Sequence, residues 1–274
     1  MAQHPPLSIR YAQRSDIGRQ RRTNEDSSAV HEIALDGRPA VIAAIADGMG
    51  GAQAGAEASQ LAVSTAIQTV CDQLTTGLPA NERAWQDLIC GALHTANQVV
   101  YARSHAMRRL QGMGTTLLLS VVWERRVRIA HIGDSRAYVV RPAVRKPQIT
   151  QLTADHTVVA ELIGRGAISA ADASQHPLRH QLARSLGPEP QIEPELTARN
   201  LRNGERVVLC SDGLPLHVAD IELARAVSDA PTPQHACDRL IELANQRGGR
   251  DNVTVVVLAA ERDLSAHSSS STRA

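Results

Sequence analysis

Apolar and polar residues alternate from Leu7 to Gln13, and Ser28–Ala34 and Ala40–Ala46 form two more β-rich runs around the turn residues Asp36, Gly37, Arg38 and Pro39. This pattern predicts strands joined as a hairpin, so the chain should open as antiparallel sheet. The period then lengthens. Ala58, Leu61, Ala62, Thr65, Ala66 and Thr69 recur at helical spacing within Gly55–Leu74, as do Ala84, Leu88, Leu93, Ala96, Val99 and Val100 within Glu82–His105. Two long amphipathic helices are expected there.

Three β-rich runs come next, Thr115–Val122, Val127–Ile132 and Ala137–Arg141, with Glu124–Arg126 as a charged hairpin loop. A fourth, Gln148–Leu152, is expected to complete a meander. Asp155–Pro190 differs in kind, with short helical pieces, Gly164, Gly166 and Gly187, and several His and Pro; it predicts an irregular, partly mobile insert of the sort that borders active sites. The last third predicts strands Ile192–Ala198 and Arg206–Cys210, helices Ala219–Val227 and Thr232–Gln246, and a final strand Asn252–Ala259. Strands, a helix pair, more strands and a second helix pair predict an α+β fold. The expected form is a four-layer α-β-β-α sandwich of two antiparallel sheets flanked by helix pairs.

At 274 residues, 43% hydrophobic and 21% charged, the chain suits one large core. A single catalytic domain over 7–262 is expected, followed by a disordered Ser-rich tail over 263–274. Phe is absent and aromatics total 2%, so Val, Ile, Leu and Ala must fill the core. A net charge of +1 excludes the field that nucleic-acid or anionic-membrane binding would need. Cys71, Cys90, Cys210 and Cys237 form no CxxC pair, as expected of reduced thiols in a cytoplasmic protein. Met1–Pro6 has no signal-peptide pattern, and no apolar run is long enough to span a bilayer. A monomer is the expectation.

Aspartate-glycine pairs follow two apolar runs, in Ile45, Ala46, Asp47, Gly48, Met49, Gly50, Gly51 and in Leu209, Cys210, Ser211, Asp212, Gly213. A carboxylate at a strand end is held by the sheet, and the neighbouring glycine lets a backbone carbonyl approach a cation. Either pair alone is as well explained as an ordinary turn. Asp134 and Asp251 occupy similar edges, and Glu25 with Asp26 precedes the second strand. If these carboxylates converge, they repel one another unless cations neutralise them, so convergence implies metal. The donors are all oxygen, which selects Mg²⁺ or Mn²⁺ over Zn²⁺. His176 and His180 lack a metal-binding arrangement and are assigned to the surface or flap. Arg21, five residues before Asp26, carries the planar fork that captures phosphate, although an isolated Arg is more often a solvated charge.

In this order the motifs resemble the type 2C Ser/Thr phosphatases, the metal-dependent protein phosphatase family, and its bacterial stand-alone members in particular. The match runs from about Ile9 to Val257. It includes Arg21 with Asn24, Glu25 and Asp26; Asp47–Gly51; Gly114, Thr115 and Thr116; His131–Tyr138; Thr153, Asp155 and His156; Ser185, Leu186 and Gly187; Ser211–Leu214; and Asp251–Thr254. Each block is weak, but eight in order are specific. The resemblance implies two core Mn²⁺ or Mg²⁺ ions bridged by Asp47. Asp212 and Asp251 would complete the first ion, and the Gly48 carbonyl and, through water, Glu25 would serve the second. It also implies a weaker third ion on Asp134 and Asp212, phosphate binding by Arg21, water orientation by Asp26, and a flap over about 155–187. Thr115, Thr116, Ser135 and Arg136 are expected to hold strand ends in place.

The implied reaction is hydrolysis of phosphoserine or phosphothreonine in proteins by a water or hydroxide shared between two cations, with no phosphoenzyme. In agreement, no cysteine has an Arg at the offset of a Cys-x₅-Arg loop. The implied partners are phosphorylated proteins and an opposing bacterial Ser/Thr kinase. Met49 departs from the His that many eukaryotic relatives carry after the Asp-Gly pair, so the leaving-group proton must come from metal-bound water or another residue. Two rivals are a pseudophosphatase binding module, which predicts gaps in an acidic set that has none, and a phosphoesterase acting on a small molecule.

Overall fold

The computed structural model describes residues 7–262 apart from residue 174. The tail expected over 263–274 and the Met1–Pro6 stretch lie outside the described residues. The chain opens with strands β1 (Leu7–Asp16), β2 (Asp26–Leu35) and β3 (Arg38–Met49), followed by helices α1 (Ala52–Thr76) and α2 (Glu82–Ala106). Strands β4 (Gly114–Thr115), β5 (Leu117–Trp123), β6 (Arg126–Ile132), β7 (Arg136–Arg141) and β8 (Gln148–Gln151) come next. Helices α3 (Val158–Gly164) and α4 (Ala170–Ala173) lie in the insert. Strands β9 (Glu195–Asn200) and β10 (Arg206–Cys210), helices α5 (Asp220–Asp229) and α6 (Pro233–Gln246), and strand β11 (Val253–Arg262) complete the order.

One sheet runs β1-β11-β10-β7-β8 and the other β2-β3-β5-β6-β9, with β4 added at the end of β3. Neighbouring strands pair antiparallel throughout. Three apolar layers alternate with the sheets. Helices α1 and α2 pack on the second sheet, α5 and α6 on the first, and Val, Ile and Leu side chains fill the space between sheets. This is the expected α-β-β-α sandwich. Strand β3 shows how one segment serves two layers: Ala40, Ile42, Ala44 and Ala46 face the helices, while Val41, Ala43 and Ile45 face the other sheet. Burial on both faces explains why its sequence is continuously apolar.

The helix ends follow capping chemistry. The Asn81 side chain accepts from the Ala84 amide at the start of α2, and Thr232 accepts from the His235 amide ahead of α6, with Pro233 in the first turn.

The expected meander does not form. Strands β5 and β6 make a hairpin, but β7 and β8 pair with each other in the opposite sheet. The chain crosses between sheets at Gly133, whose φ is +103° and whose missing side chain leaves room for Thr116. The Thr115–Val122 run also divides. Thr116 turns its amide to the Asp47 carbonyl (2.9 Å) and its hydroxyl to the Asp47 amide (2.8 Å), separating β4 from β5.

Candidate active site

Both sheets deliver acidic residues to one edge of the sandwich. Asp26 and Asp47 are directly opposed in the β2–β3 ladder. β3 does not stop at Asp47 but runs through Gly48 to Met49, where it pairs with β4, and Asp26 is the first residue of β2 rather than a loop residue before it. From the other sheet, Asp212 follows β10 and Asp251 precedes β11, while Asp134 sits in the crossing between β6 and β7. These residues meet in a cleft of about 1550 Å³ lined by Arg21, Glu25, Asp47, Gly48, Asp134, Asp212 and Asp251. Asp26, only 9% exposed, lies beneath the floor.

Neutral side chains fix the floor. Ser211 and Thr254 hydroxyls each donate to Asp26 Oδ2 at 2.7 Å. The Thr115 hydroxyl donates to the Asp47 carbonyl (2.9 Å), and the Thr116 and Ser135 hydroxyls are joined at 2.8 Å. Asn252 accepts from the Glu25 amide (2.9 Å) and donates to the Ile17 and Thr23 carbonyls, while the Ser59 hydroxyl of α1 donates to the Glu25 carbonyl (2.6 Å). Backbone packs directly on backbone where α1 meets the site: a Cβ on Gly48 would run into the Gly55 carbonyl, and one on Gly55 into the Glu25 carboxylate. Gly55 and Asn252 are thus part of the construction of the site. The spacing of Gly55 alone carried no signal, because what it accommodates, the Gly48 backbone and the Glu25 carboxylate, is brought to α1 only by the fold.

Burial and mutual repulsion shape the electrostatics. Burial, then Asp26, Asp212, Asp134 and Asp251, push the Asp47 carboxyl far above the usual range. Burial raises Asp26 to about 7, assisted by Asp212 and Asp251 and opposed by the two hydroxyl bonds. Asp134 rises to about 7 through burial, Asp212 and Asp155, and Asp212 rises through burial and Asp251. Asp26 Oδ1 and Asp212 Oδ1 are buried without a hydrogen-bond donor. Unpartnered buried carboxylate oxygens among like charges suit hard divalent cations. The Arg21 guanidinium reaches the same place, donating to Asp251 Oδ2 at 2.7 Å.

A second group also brings metal-capable atoms together: those of His131, His156 and Glu195 lie within 4.8 Å of one another. Its hydrogen bonds argue for a strap instead. The Gly133 amide donates to His156 Nδ1 (3.2 Å), so the His156 proton sits on Nε2, which faces Glu195 Oε2 at 3.2 Å. A nitrogen carrying that proton has no lone pair for a metal. With the His131 Nε2 bond to the Ala154 carbonyl (2.8 Å), the trio ties the start of the insert to β6 and β9.

Residues 17–251 match the family model for protein phosphatase 2C. The chain belongs to the protein phosphatase 2C family. It is 37% identical over 252 residues to the serine/threonine phosphatase stp of Listeria monocytogenes, covering 92% of this chain and 95% of that protein. It is 39% identical over 251 residues to the serine/threonine protein phosphatase PstP of Mycobacterium tuberculosis, where it spans 92% of itself but only 45% of the relative. The catalytic domain of PstP in complex with two manganese ions superposes with a TM-score of 0.76 at 38% identity, covering 93% of this chain and 99% of that one. The S. agalactiae serine/threonine phosphatase gives 0.82 at 29% identity, with 92% and 99% covered.

In this phosphatase 2C chain the insert closes one side of the cleft and is pinned at both ends. Arg136 grips Asp155 through two bonds of 2.8 and 2.6 Å at its start. At its end, Thr115 and Leu186 exchange backbone bonds of 3.0 and 2.9 Å, and the Gly187 amide donates to Asn97 Oδ1 at 2.8 Å. Between these anchors Arg179, His180 and Arg184 reach the cleft, joined by His94 of α2 and by Arg250. The sequence did not single these out as site residues, because only the fold of the insert over the cleft brings most of them there.

Proposed function

We infer that this enzyme hydrolyses phosphoserine and phosphothreonine in proteins, using divalent cations and forming no phosphoenzyme. The observation that carries the inference is the convergence of Asp26, Asp47, Asp134, Asp212 and Asp251 from both sheets beside the Arg21 guanidinium. Asp47, Asp212 and Asp251, with Glu25 and the Gly48 carbonyl, would hold two Mn²⁺ or Mg²⁺ ions; Asp134 with Asp212 would hold a third. Such cations lower the pKa of water and offset phosphoryl charge. Arg21 presents a planar fork for bidentate phosphate binding, releasing Asp251 to do so. Asp26 steadies the floor under Asp47 and orients water. Cys210 and Cys237, with thiols pushed up to about 12 by burial, are poor nucleophiles at neutral pH, in keeping with direct hydrolysis.

One catalytic domain spans 7–262, with the flap over about 155–187. The enzyme is proposed to act as a monomer. Four unpaired cysteines suit the reducing cytoplasm. No helix among the described residues is long and apolar enough to cross a membrane. The substrates are phosphorylated proteins, which requires a protein kinase acting on serine or threonine, here a bacterial one.

The deciding experiment is hydrolysis of phosphoserine, phosphothreonine and phosphotyrosine peptides with EDTA and with added Mn²⁺, by the unmodified enzyme and by Asp47→Asn. The variant should fold and lose turnover. If it kept more than about a tenth of kcat, a loss of less than about 1.4 kcal/mol in the barrier, the two-metal assignment would be wrong.

A further inference from the structure

We propose that the end of the sandwich remote from the cleft carries a binding site for a small oxyanion, a phosphate-like or carboxylate group, built by Trp123, Arg126 and Arg128 at the β5–β6 hairpin. Binding there is separate from the reaction in the cleft. Strand β6 spans the distance between the two places: Ile132 at one end lines the cleft, and Arg126 at the other stands about 20 Å away at about 3.3 Å per residue. A cavity of about 270 Å³ opens at the hairpin, lined by Trp123, Glu124, Arg125, Arg126, Arg128 and Asn200. Its size falls just below the range of about 300–1,000 Å³ usual for small-molecule sites, which limits the occupant to a small group.

Strand pairing and direct contacts bring these groups together. Trp123 opposes Arg126 across β5 and β6, and Arg126 opposes Asn200 of β9, to whose Oδ1 it gives Nη1 at 3.4 Å. Arg128, two positions along β6, shares the face of Arg126. Its Cζ lies 4.4 Å from the centre of the Trp85 ring, and Trp85 stacks on Trp123 with centroids 5.7 Å apart. In the first turn of α2, Glu82 faces both guanidiniums. Arg128 grips it through Nε (3.2 Å) and Nη2 (2.9 Å), and Arg126 Nε stands 3.1 Å from Glu82 Oε2. Two cations therefore share one carboxylate, which leaves a positive charge in excess. Glu124, the acid that lines the cavity itself, is paired with Arg38.

Arg128 is only 7% exposed, and a guanidinium that deep is expected to have its donors satisfied. Its Nη1 has no hydrogen-bond partner among the described residues, and neither has Trp123 Nε1. Arg126 Nε, although close to Glu82, makes no aligned hydrogen bond to it either. Three N–H groups thus lack an acceptor at a cavity wall where a cation is in excess. A water would accept from some of these donors and leave the charge unbalanced, whereas an oxyanion accepts from several at once and neutralises the second guanidinium. The three nitrogens lie just beneath the wall, so the anion reaches them as the Arg126 side chain, 37% exposed, turns onto it.

Trp85 and Trp123 are the chain's two tryptophans, and neither lines the cleft, so indole emission reports directly on the hairpin site. The full-length protein is titrated with sodium sulfate and with sodium acetate, at an ionic strength held constant with sodium chloride, once with Mn²⁺ and once with EDTA. Emission should change saturably, with a midpoint on the order of 1 mM that is the same with and without Mn²⁺. A lower midpoint for sulfate assigns a phosphate-like group, a lower one for acetate a carboxylate, and equal midpoints a site that reads charge alone. Arg126→Gln should raise the midpoint about tenfold, with Arg126→Lys recovering part of the loss. Glu82→Gln should lower it, because the carboxylate that competes for both guanidiniums is gone; a merely structural role for Glu82 predicts no tightening. Both substituted side chains are partly exposed, and circular dichroism checks that the variants fold. The site is overturned if neither anion changes the emission of the unmodified protein saturably. It is equally overturned if the change needs Mn²⁺, which would put the anion in the cleft, or if Arg126→Gln and Glu82→Gln keep the parent midpoint.

Discussion

Replacing Asp26 by Asn should stabilise the metal-free protein at neutral pH and leave it nearly unchanged in acid. Burial, with Asp212 and Asp251, holds Asp26 at about 7 in the fold, whereas an unfolded chain titrates it at about 3.9. The folded state therefore keeps a proton between about pH 4 and about pH 7 that the unfolded chain has already lost. Stability falls as pH rises through that window, and the loss is complete above it. A difference of about three pH units at about 1.4 kcal/mol each sets a ceiling of about 4 kcal/mol. Asp47 and Asp212 share the same repulsion, so about 2–4 kcal/mol is expected for this residue. Asn keeps the shape of the side chain. Its carbonyl can accept the Ser211 and Thr254 hydroxyls, and its amide replaces an oxygen that has no donor.

The assay is urea unfolding of EDTA-stripped protein at about pH 4.5 and about pH 8. Asp26→Asn should raise the midpoint at the higher pH and scarcely move it at the lower. Mn²⁺ should narrow the gap, since cations offset the same repulsion in the unmodified chain and stabilise whichever state binds them. A variant no more stable at pH 8 than the parent, or equally shifted at both values, would refute the electrostatic account and make the effect one of packing.

Arg21→Ala should raise KM for phosphopeptide more than it lowers kcat, with Arg21→Lys recovering only part of the loss because an ammonium lacks the fork; an unchanged KM would leave Arg21 a surface charge paired with Asp251. Asp134→Ala should raise the Mn²⁺ requirement while the tightest binding event in isothermal titration remains; loss of that event would move Asp134 to the core pair. Met49→His should raise turnover of phosphopeptide relative to p-nitrophenyl phosphate, whose leaving group needs no proton, by a factor well under the 10²–10⁴ of a well-placed acid. Equal responses of both substrates would show that protonation does not limit the parent.

Much of this was legible in the sequence for identifiable reasons. The helices α1 and α2 declared themselves by unbroken periodicity. β3 was recognisable because burial on both faces makes it apolar throughout. Sheet membership was not legible. β5, β6, β7 and β8 look alike locally, and the crossing at Gly133 depends on the fit of Thr116 against it, a contact between residues distant in sequence. The floor acids were found because each stands next to glycine or at a strand edge. Arg179, Arg184 and His94 were not, because nothing in their own neighbourhoods marks them as facing a cleft.

The construction of the cleft separates two kinds of effect. The floor belongs to the sheets: Asp47 lies within the β2–β3 ladder with its amide held by the Thr116 hydroxyl, Asp212 and Asp251 adjoin β10 and β11, and the Ser211 hydroxyl ties those two strands together at the Thr254 amide. The rim belongs to an insert anchored at its ends, by Arg136 with Asp155, by His156 with Gly133 and Glu195, and by Thr115 with Leu186. Between those anchors a loop is closed by two backbone bonds, from the Val158 amide to the Gln181 carbonyl (2.9 Å) and from the Ala183 amide to the His156 carbonyl (2.8 Å), and Arg179 stays exposed. A change in the floor alters groups that every substrate meets at its phosphate, so it should lower kcat for all substrates in similar proportion. A change in the rim leaves those groups in place and alters only what lies beside the phosphate, so it should reorder substrates through KM. Because the anchors carry the insert's backbone, exposed rim side chains such as Arg179 can vary in sequence without disturbing the geometry of the floor.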